Sequence, residues 1–149
     1  MSVVADNFLS TQCAVHFTDS QHRQVYVLSG TCILNPVLLG NPQNNDQWQR
    51  GQTWFQIPVP DLPVVGGVQQ GFVVEQAAPA IVLGSIENEQ VATNAGWAVD
   101  DFAVEVNGEA SEEVTATFNY AVRDNDGQMR RVAYTITLVG HYAPIPPIQ

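Results

Sequence analysis

Over the last third of the chain, apolar residues recur at every second position. Val114, Ala116, Phe118, Tyr120 and Val122 alternate with Thr115, Thr117, Asn119 and Ala121. Val132, Tyr134, Ile136 and Leu138 alternate with Ala133, Thr135, Thr137 and Val139. Successive side chains of a strand point to opposite sides of its sheet, so a period of two in β-branched and aromatic residues marks a strand with one buried face. Together with Phe102, Val104 and Val106, the pattern predicts a C-terminal three-strand antiparallel meander over 99–106, 114–122 and 129–142. The apolar positions of its last two strands are even-numbered, so facing residues must sum to an even number. A three-residue loop, Asn125-Asp126-Gly127, meets that condition. It pairs Tyr120 with Val132 and Phe118 with Tyr134, and it sets glycine where the loop needs left-handed backbone.

Upstream, residues 12–18 and 23–30 read as a hairpin around the loop 19–22, with Cys13, Val15 and Phe17 on one face and Ala14 and His16 on the other. The run 31–39 is interrupted by Asn35-Pro36, which calls for an edge, a bulge or a change of direction. Residues 40–52 form a polar loop. Residues 54–59 are extended, and Pro58, Pro60 and Pro63 stiffen the passage after them. Further strands are expected at 71–76 and 80–83. Residues 85–93 are the one place for a short helix, with Ser85 as cap and Glu87 and Glu89 in the first turn. Pro144, Pro146 and Pro147 make 143–149 an extended tail, lying on its own domain or reaching a neighbour. About eight to ten short strands, punctuated by Pro and Gly and without βαβ rhythm, predict an all-β fold. The expected form is a single-domain antiparallel β-sandwich, jelly-roll-like, over residues 1–142.

Charge changes the picture. Charged residues make up 13% of the 149, about half the usual share, so the polar surface rests on amides and hydroxyls. There is no lysine, and the five arginines face 15 acids for a formal charge of −10. That balance excludes nucleic acid as a partner, since phosphate neutralisation needs clustered cations, and it disfavours anionic lipid. The first residues carry no basic start or long apolar run of a signal peptide, and no stretch matches a membrane span. Synthesis in the cytoplasm is expected, with a virion or released particle as conceivable destinations. Cys13 and Cys32 imply no disulfide framework and read as reduced core residues.

Candidate chemistry is sparse. Cys13 and His16 lie three apart on a strand and point to opposite faces, which separates a nucleophile from its base. His16, His22 and His141 lack the short spacing of metal motifs, and there is no Cys-x-x-Cys. Asp124-Asn125-Asp126-Gly127 has the composition of a calcium loop, but its glycine comes fourth and its twelfth position is Thr135. Glu87/Glu89, Asp100/Asp101 and Glu112/Glu113 read as solvated charges rather than a facing carboxylate pair. The chain has no nucleophile elbow, phosphate loop or dinucleotide fingerprint. No catalytic residue, metal or cofactor is expected.

Binding is the better prospect. Asn44, Asn45, Asp46, Trp48 and Arg50 combine amides, an acid, a guanidinium and an aromatic face, the mixture that holds a neutral glycan. Trp54 and Trp97 read as core. The outward face of the meander, Thr115, Thr117, Asn119, Thr135 and Thr137, is nearly free of charge, and the prolines Pro144, Pro146 and Pro147 can cross to a neighbour. Edge strands usually defend themselves with lysine, which is absent here. The leading expectation is a non-enzymatic structural protein, a homo-oligomeric β-sandwich subunit of a larger particle, fibre or shell, such as a virion decoration or fibre component. A lectin-like module using the Trp48 loop comes second. An enzyme with a site assembled from His and carboxylates comes third.

Overall fold

A computed structural model of the chain describes residues 6–39, 47–88, 96–123 and 127–146. Eight strands fill these residues, and no helix occurs among them. They are β1 (Phe8–Thr18), β2 (Gln24–Leu39), β3 (Trp48–Pro58), β4 (Val64–Val65), β5 (Val68–Asn88), β6 (Gly96–Val104), β7 (Glu113–Arg123) and β8 (Gly127–Pro144). A five-stranded sheet in the order β1-β2-β8-β5-β4 packs on a three-stranded sheet in the order β3-β7-β6, with every pairing antiparallel. The expected antiparallel sandwich is what forms.

The first hairpin forms as its pattern predicts. Thr18 faces Gln24, and the Asp19 carboxylate closes the loop by accepting the Gln21 and Arg23 amides at 2.9 Å and Arg23 Nε at 2.9 Å. His22 donates its amide to the Asp19 carbonyl at 3.1 Å and takes positive φ (63°), the left-handed step that lets the chain return. At Asn35-Pro36, β2 loses register with β8 between Ile33 and Leu38, the bulge that a proline in a strand demands.

The meander is only half local. β6 and β7 pair, with Trp97 opposite Val122 and Val99 opposite Tyr120. The next strand, β8, does not return along β7. It crosses to the other sheet and runs between β2 and β5. Tyr120 therefore faces Gly51 and Val99 rather than Val132, and Phe118 faces Thr53 rather than Tyr134. Tyr134 instead faces Gly30 and Ile81, and Val132 faces Cys32 and Leu83. Two ladders outweigh one hairpin. From Val132 to Gly140, β8 has a neighbour on each side, so its backbone groups are paired throughout.

The expected helix at 85–93 is also corrected. Residues 85–88 belong to β5, held by β8 through Glu87 opposite Gln128 and Asn88 opposite Gly127, while 89–95 lie outside the described residues. Capping signals worth about 1 kcal/mol lose to a long ladder. Pro79 is accommodated within β5 because β8 alone pairs with it at that point. The tail begins later than expected. Ala143 and Pro144 still face Gly71 and Gln70, and Ile145 donates to the Gln69 carbonyl at 3.5 Å. Residues 147–149 lie outside the described residues.

The core lies between the sheets: Tyr26, Leu28, Ile136 and Leu138 from the large one, Phe55, Ile57, Phe118 and Val122 from the small one. Phe55 sits beside Phe118 at 6.3 Å and across the core from Tyr134 at 5.4 Å, measured between ring centroids. The two rings expected opposite each other in one hairpin thus share a third ring as a bridge between sheets. Trp97 packs against this core as expected. Trp54 does not: Phe55 is the inward residue, so Trp54 faces outward, half-buried, opposite Thr117. Cys32 is buried but Cys13 is exposed on the outer side of β1, and both are free thiols.

Candidate functional site

Because β7 and β8 lie in different sheets, the residues expected to form one assembly face are divided between the two outer surfaces of the sandwich. Thr115, Thr117 and Asn119 lie on the outside of the small sheet; Thr135 and Thr137 lie on the outside of the large one. The alternation of each strand was right. Their shared face was not.

Residues 48–52, expected in a polar loop, instead open β3, whose ladder with β7 brings Trp48, Arg50, Gln52 and Trp54 to the same side as Thr117 and Asn119. Two residues of the expected glycan site thus join part of the expected assembly face; Asn44, Asn45 and Asp46 lie outside the described residues. Gln52 Nε2 donates to Asn119 Oδ1 at 3.3 Å, and Asn119 Nδ2 donates to Asp101 Oδ2 at 2.9 Å, a polar row across three strands. Asp101 holds φ of 49° at the β6 bulge between Asp100 and Ala103. Small residues Gly51, Ala98 and Ala121 floor a shallow pocket of about 220 Å³ walled by Arg50, Asp100, Asp101 and Asn119. Trp48 is 37% exposed, but its ring is already engaged: the Arg123 guanidinium lies 4.8 Å and the Arg50 guanidinium 5.8 Å from its centroid. Gly96 passes beneath, where a Cβ would sit 2.7 Å from the indole edge.

The outside of the large sheet is different in kind. Around Thr135 and Thr137 stand Val15 (56% exposed), Phe17 (48%) and Val82 (61%), with Val27, Thr31, Ala78, Ala80, Ala133 and Val139 between them. No charged residue interrupts this group. Val25 and Val73 are buried on the same side yet stand apart from the main core. Sequence reasoning named the threonines but missed Val15, Phe17 and Val82. The available signal was that 13–15 and 25–28 are apolar or small on both parities, more than a strand with one buried face requires.

The histidines do not converge. His16 lies on the side of β1 away from Cys13, stacked on Tyr26. His22 is in the first loop, and His141 Nδ1 is 3.7 Å from Glu75 Oε1 in an exposed pair. Burial pushes the Cys32 thiol up to about 12, so it is no thiolate at neutral pH. Burial likewise raises Tyr134 to about 12, with Cys32 adding to the effect. Tyr26 is raised by burial and by its 2.7 Å bond to the Tyr142 hydroxyl. A cleft of about 310 Å³ carries Glu105, Glu109, Glu112 and Glu113. Among the described residues no three His, Cys, Asp or Glu side chains are grouped to hold a metal ion. Nor is there, among the described residues, a helix long and apolar enough to cross a membrane.

No protein-family model matches the chain, and no curated protein or solved structure matches it.

Proposed function

We propose that the protein is a non-enzymatic, self-assembling β-sandwich, a repeated subunit of a larger particle, fibre or shell. The observation that carries this reading is the outer surface of the five-stranded sheet. A sheet face in a monomer ordinarily alternates apolar-in with polar-out. Here the outward positions over the middle of β1, β2, β8 and β5 are valine, phenylalanine, alanine, threonine, cysteine and serine, with Arg131 at one end of the face and the Glu75–His141 pair at the other. At strand spacings of about 4.8 Å and rises of about 3.4 Å per residue, four strands by seven residues present a flat area on the order of 450 Å². Side-chain relief brings that within reach of the ~800 Å² per partner of an ordinary stable interface. In a chain of charge −10, an uncharged surface is also where two copies approach at least electrostatic cost. Light scattering with negative-stain imaging tests the reading. A defined oligomer, ring or filament is expected, and a 16.2 kDa monomer at all concentrations would overturn it.

A second reading is favoured by the small-sheet pocket. Arg50, Asp100, Asp101 and Asn119 offer donors and acceptors around an apolar floor, a chemistry suited to a neutral sugar. With Trp48 covered by guanidinium groups, the hydrogen-bonding residues rather than the indole would carry recognition. Glycan screening of the native protein and an Asp101→Ala variant distinguishes this reading, because the variant leaves the large sheet untouched.

A further inference from the structure

We infer that β1 pairs with β1 of a second copy about a two-fold axis through Val15, joining two five-stranded sheets into one continuous sheet. The inference deepens the assembly reading and rests on it.

The edges of the two sheets are not equal. On the far side of the large sheet β4 covers only Val68 and Gln69 of β5; beyond them β5 is itself the edge, broken by Pro79 and by bulges between Val74 and Gln76 and between Leu83 and Ile86. In the small sheet, β3 has its Trp54 and Pro58 carbonyls capped by the Asn7 and Gln12 amides, at 2.8 and 3.0 Å. The β6 edge is bent by its bulge and carries Asp100 and Asp101. These are the devices that blunt an edge. β1 has none of them over residues 12–18: no proline, no bulge, no Asp, Glu, Lys or Arg, and every residue exposed.

Its free hydrogen-bonding groups can be assigned. Asp19 donates its amide to Arg23, directly across the hairpin, at 2.9 Å. In an antiparallel ladder such positions alternate, so the odd residues of β1 bond to β2. The even residues Gln12, Ala14, His16 and Thr18 turn their N–H and C=O to the open edge.

Symmetry then selects the register. With the axis perpendicular to the sheet, facing residues must share a side, so their numbers sum to an even value. The bulge between Leu9 and Thr11 confines regular pairing to the later part of the strand. An axis at Val15 uses all of 12–18. It pairs Ala14 with His16 and Gln12 with Thr18 through edge bonds, and on the outer face it sets Val15 on Val15 and Phe17 on Cys13. An axis at Cys13 would run Phe17 into the bulge. An axis at Ala14 would set Phe17 against Thr11. The chosen register makes every outward contact apolar while using the whole of 12–18, and it extends the uncharged face of one copy into that of the next.

Val15 would then oppose itself in a non-hydrogen-bonded pair, with Cα atoms about 4.5 Å apart, inside the ~4.4–6.8 Å range of a disulfide. The test is Val15→Cys in a Cys13→Ser background, with diamide accepting the two thiol hydrogens. Near-complete covalent dimer on a non-reducing gel is expected. Native Cys13, four positions from its copy, should stay uncrosslinked under the same conditions. A second variant, Ala14→Pro, removes an edge N–H that the ladder to β2 does not use. It should keep a cooperative melting transition and the native β-sheet circular dichroism while halving the particle mass at least. Monomeric native protein would overturn both the assembly reading and this pairing. An oligomer in which Val15→Cys fails to crosslink, or in which native Cys13 crosslinks instead, would overturn the pairing and leave the assembly reading in place.

Discussion

His16 lies flat on Tyr26, the ring centroids 4.2 Å apart and the planes 6° from parallel. The two face each other across β1 and β2, and the Tyr142 hydroxyl joins them, 3.1 Å from His16 Nε2 and 2.7 Å from the Tyr26 hydroxyl. The Gln24 side-chain oxygen completes the set at 2.7 Å from the same imidazole nitrogen. One ring thus ties the edge strand to both of the strands behind it. His16→Ala removes a stacked cross-strand pair and these bonds, at a cost of about 1 kcal/mol. Faster amide exchange confined to β1 and β2 is the expected signature, with the melting midpoint down by about 2–4 °C. An unchanged exchange pattern would show that the stack holds nothing in place.

Trp54 and Phe55 invert the usual ranking by size. Phe55 is 1% exposed and bridges Phe118 and Tyr134, whereas Trp54 faces out. Phe55→Ala should cost about 3–5 kcal/mol, the range for a buried aromatic. Trp54→Ala should cost well under half of that in the same chemical denaturation experiment.

Gly140 sits where β5 bulges between Val74 and Gln76. A Cβ there would overlap the Val73 carbonyl oxygen and come within 2.9 Å of the Phe72 ring. Gly140→Ala is expected to destabilise by about 1–3 kcal/mol, as overpacking does. Gly108→Ala meets nothing nearby but has a φ of 77°, so its smaller cost would be pure backbone strain.

Cys32 and Tyr134 predict an alkaline limit. The folded state holds both protons more tightly than the open chain, Cys32 at about 12 against an ordinary 9.0 and Tyr134 at about 12 against 10.0. Raised acids give stability that is whole below the ordinary values and is lost as pH climbs through them toward 12. Melting midpoints should hold steady from neutrality to about pH 9 and then fall. Cys32→Ala should start lower, from the lost packing, and fall less steeply above pH 9.

Thr137 and Thr117 separate the two surfaces. If the large sheet's outer side carries assembly, Thr137→Lys places a charge within it and lowers the particle mass. Thr117→Lys, on the opposite side of the sandwich, leaves the mass unchanged. Equal effects in light scattering would contradict assembly through one face.

Most of what could be read locally was legible. Alternation in 114–122 and 132–138 marked the strands and the inward residues, and Asp19 to His22 marked a turn that the Asp19 carboxylate closes. Of the candidate surfaces, Trp48, Arg50 and Asn119 were each named, but not their proximity, and Val15, Phe17 and Val82 were passed over.

Tertiary structure decided the rest, for a definite reason. A strand that turns back as a hairpin and a strand that crosses to the facing sheet both aim their apolar side chains at the same core, so the period of two is identical in either case. The sequence by itself therefore determined that β7 and β8 are strands and that Phe118 and Tyr134 point inward. Whether Tyr134 lies beside Phe118 or across from it depended on β2 and β5, far away in the chain, offering β8 a partner on each side. That choice placed Thr117 and Thr137 on opposite surfaces, and it left β1 as an open edge free of proline.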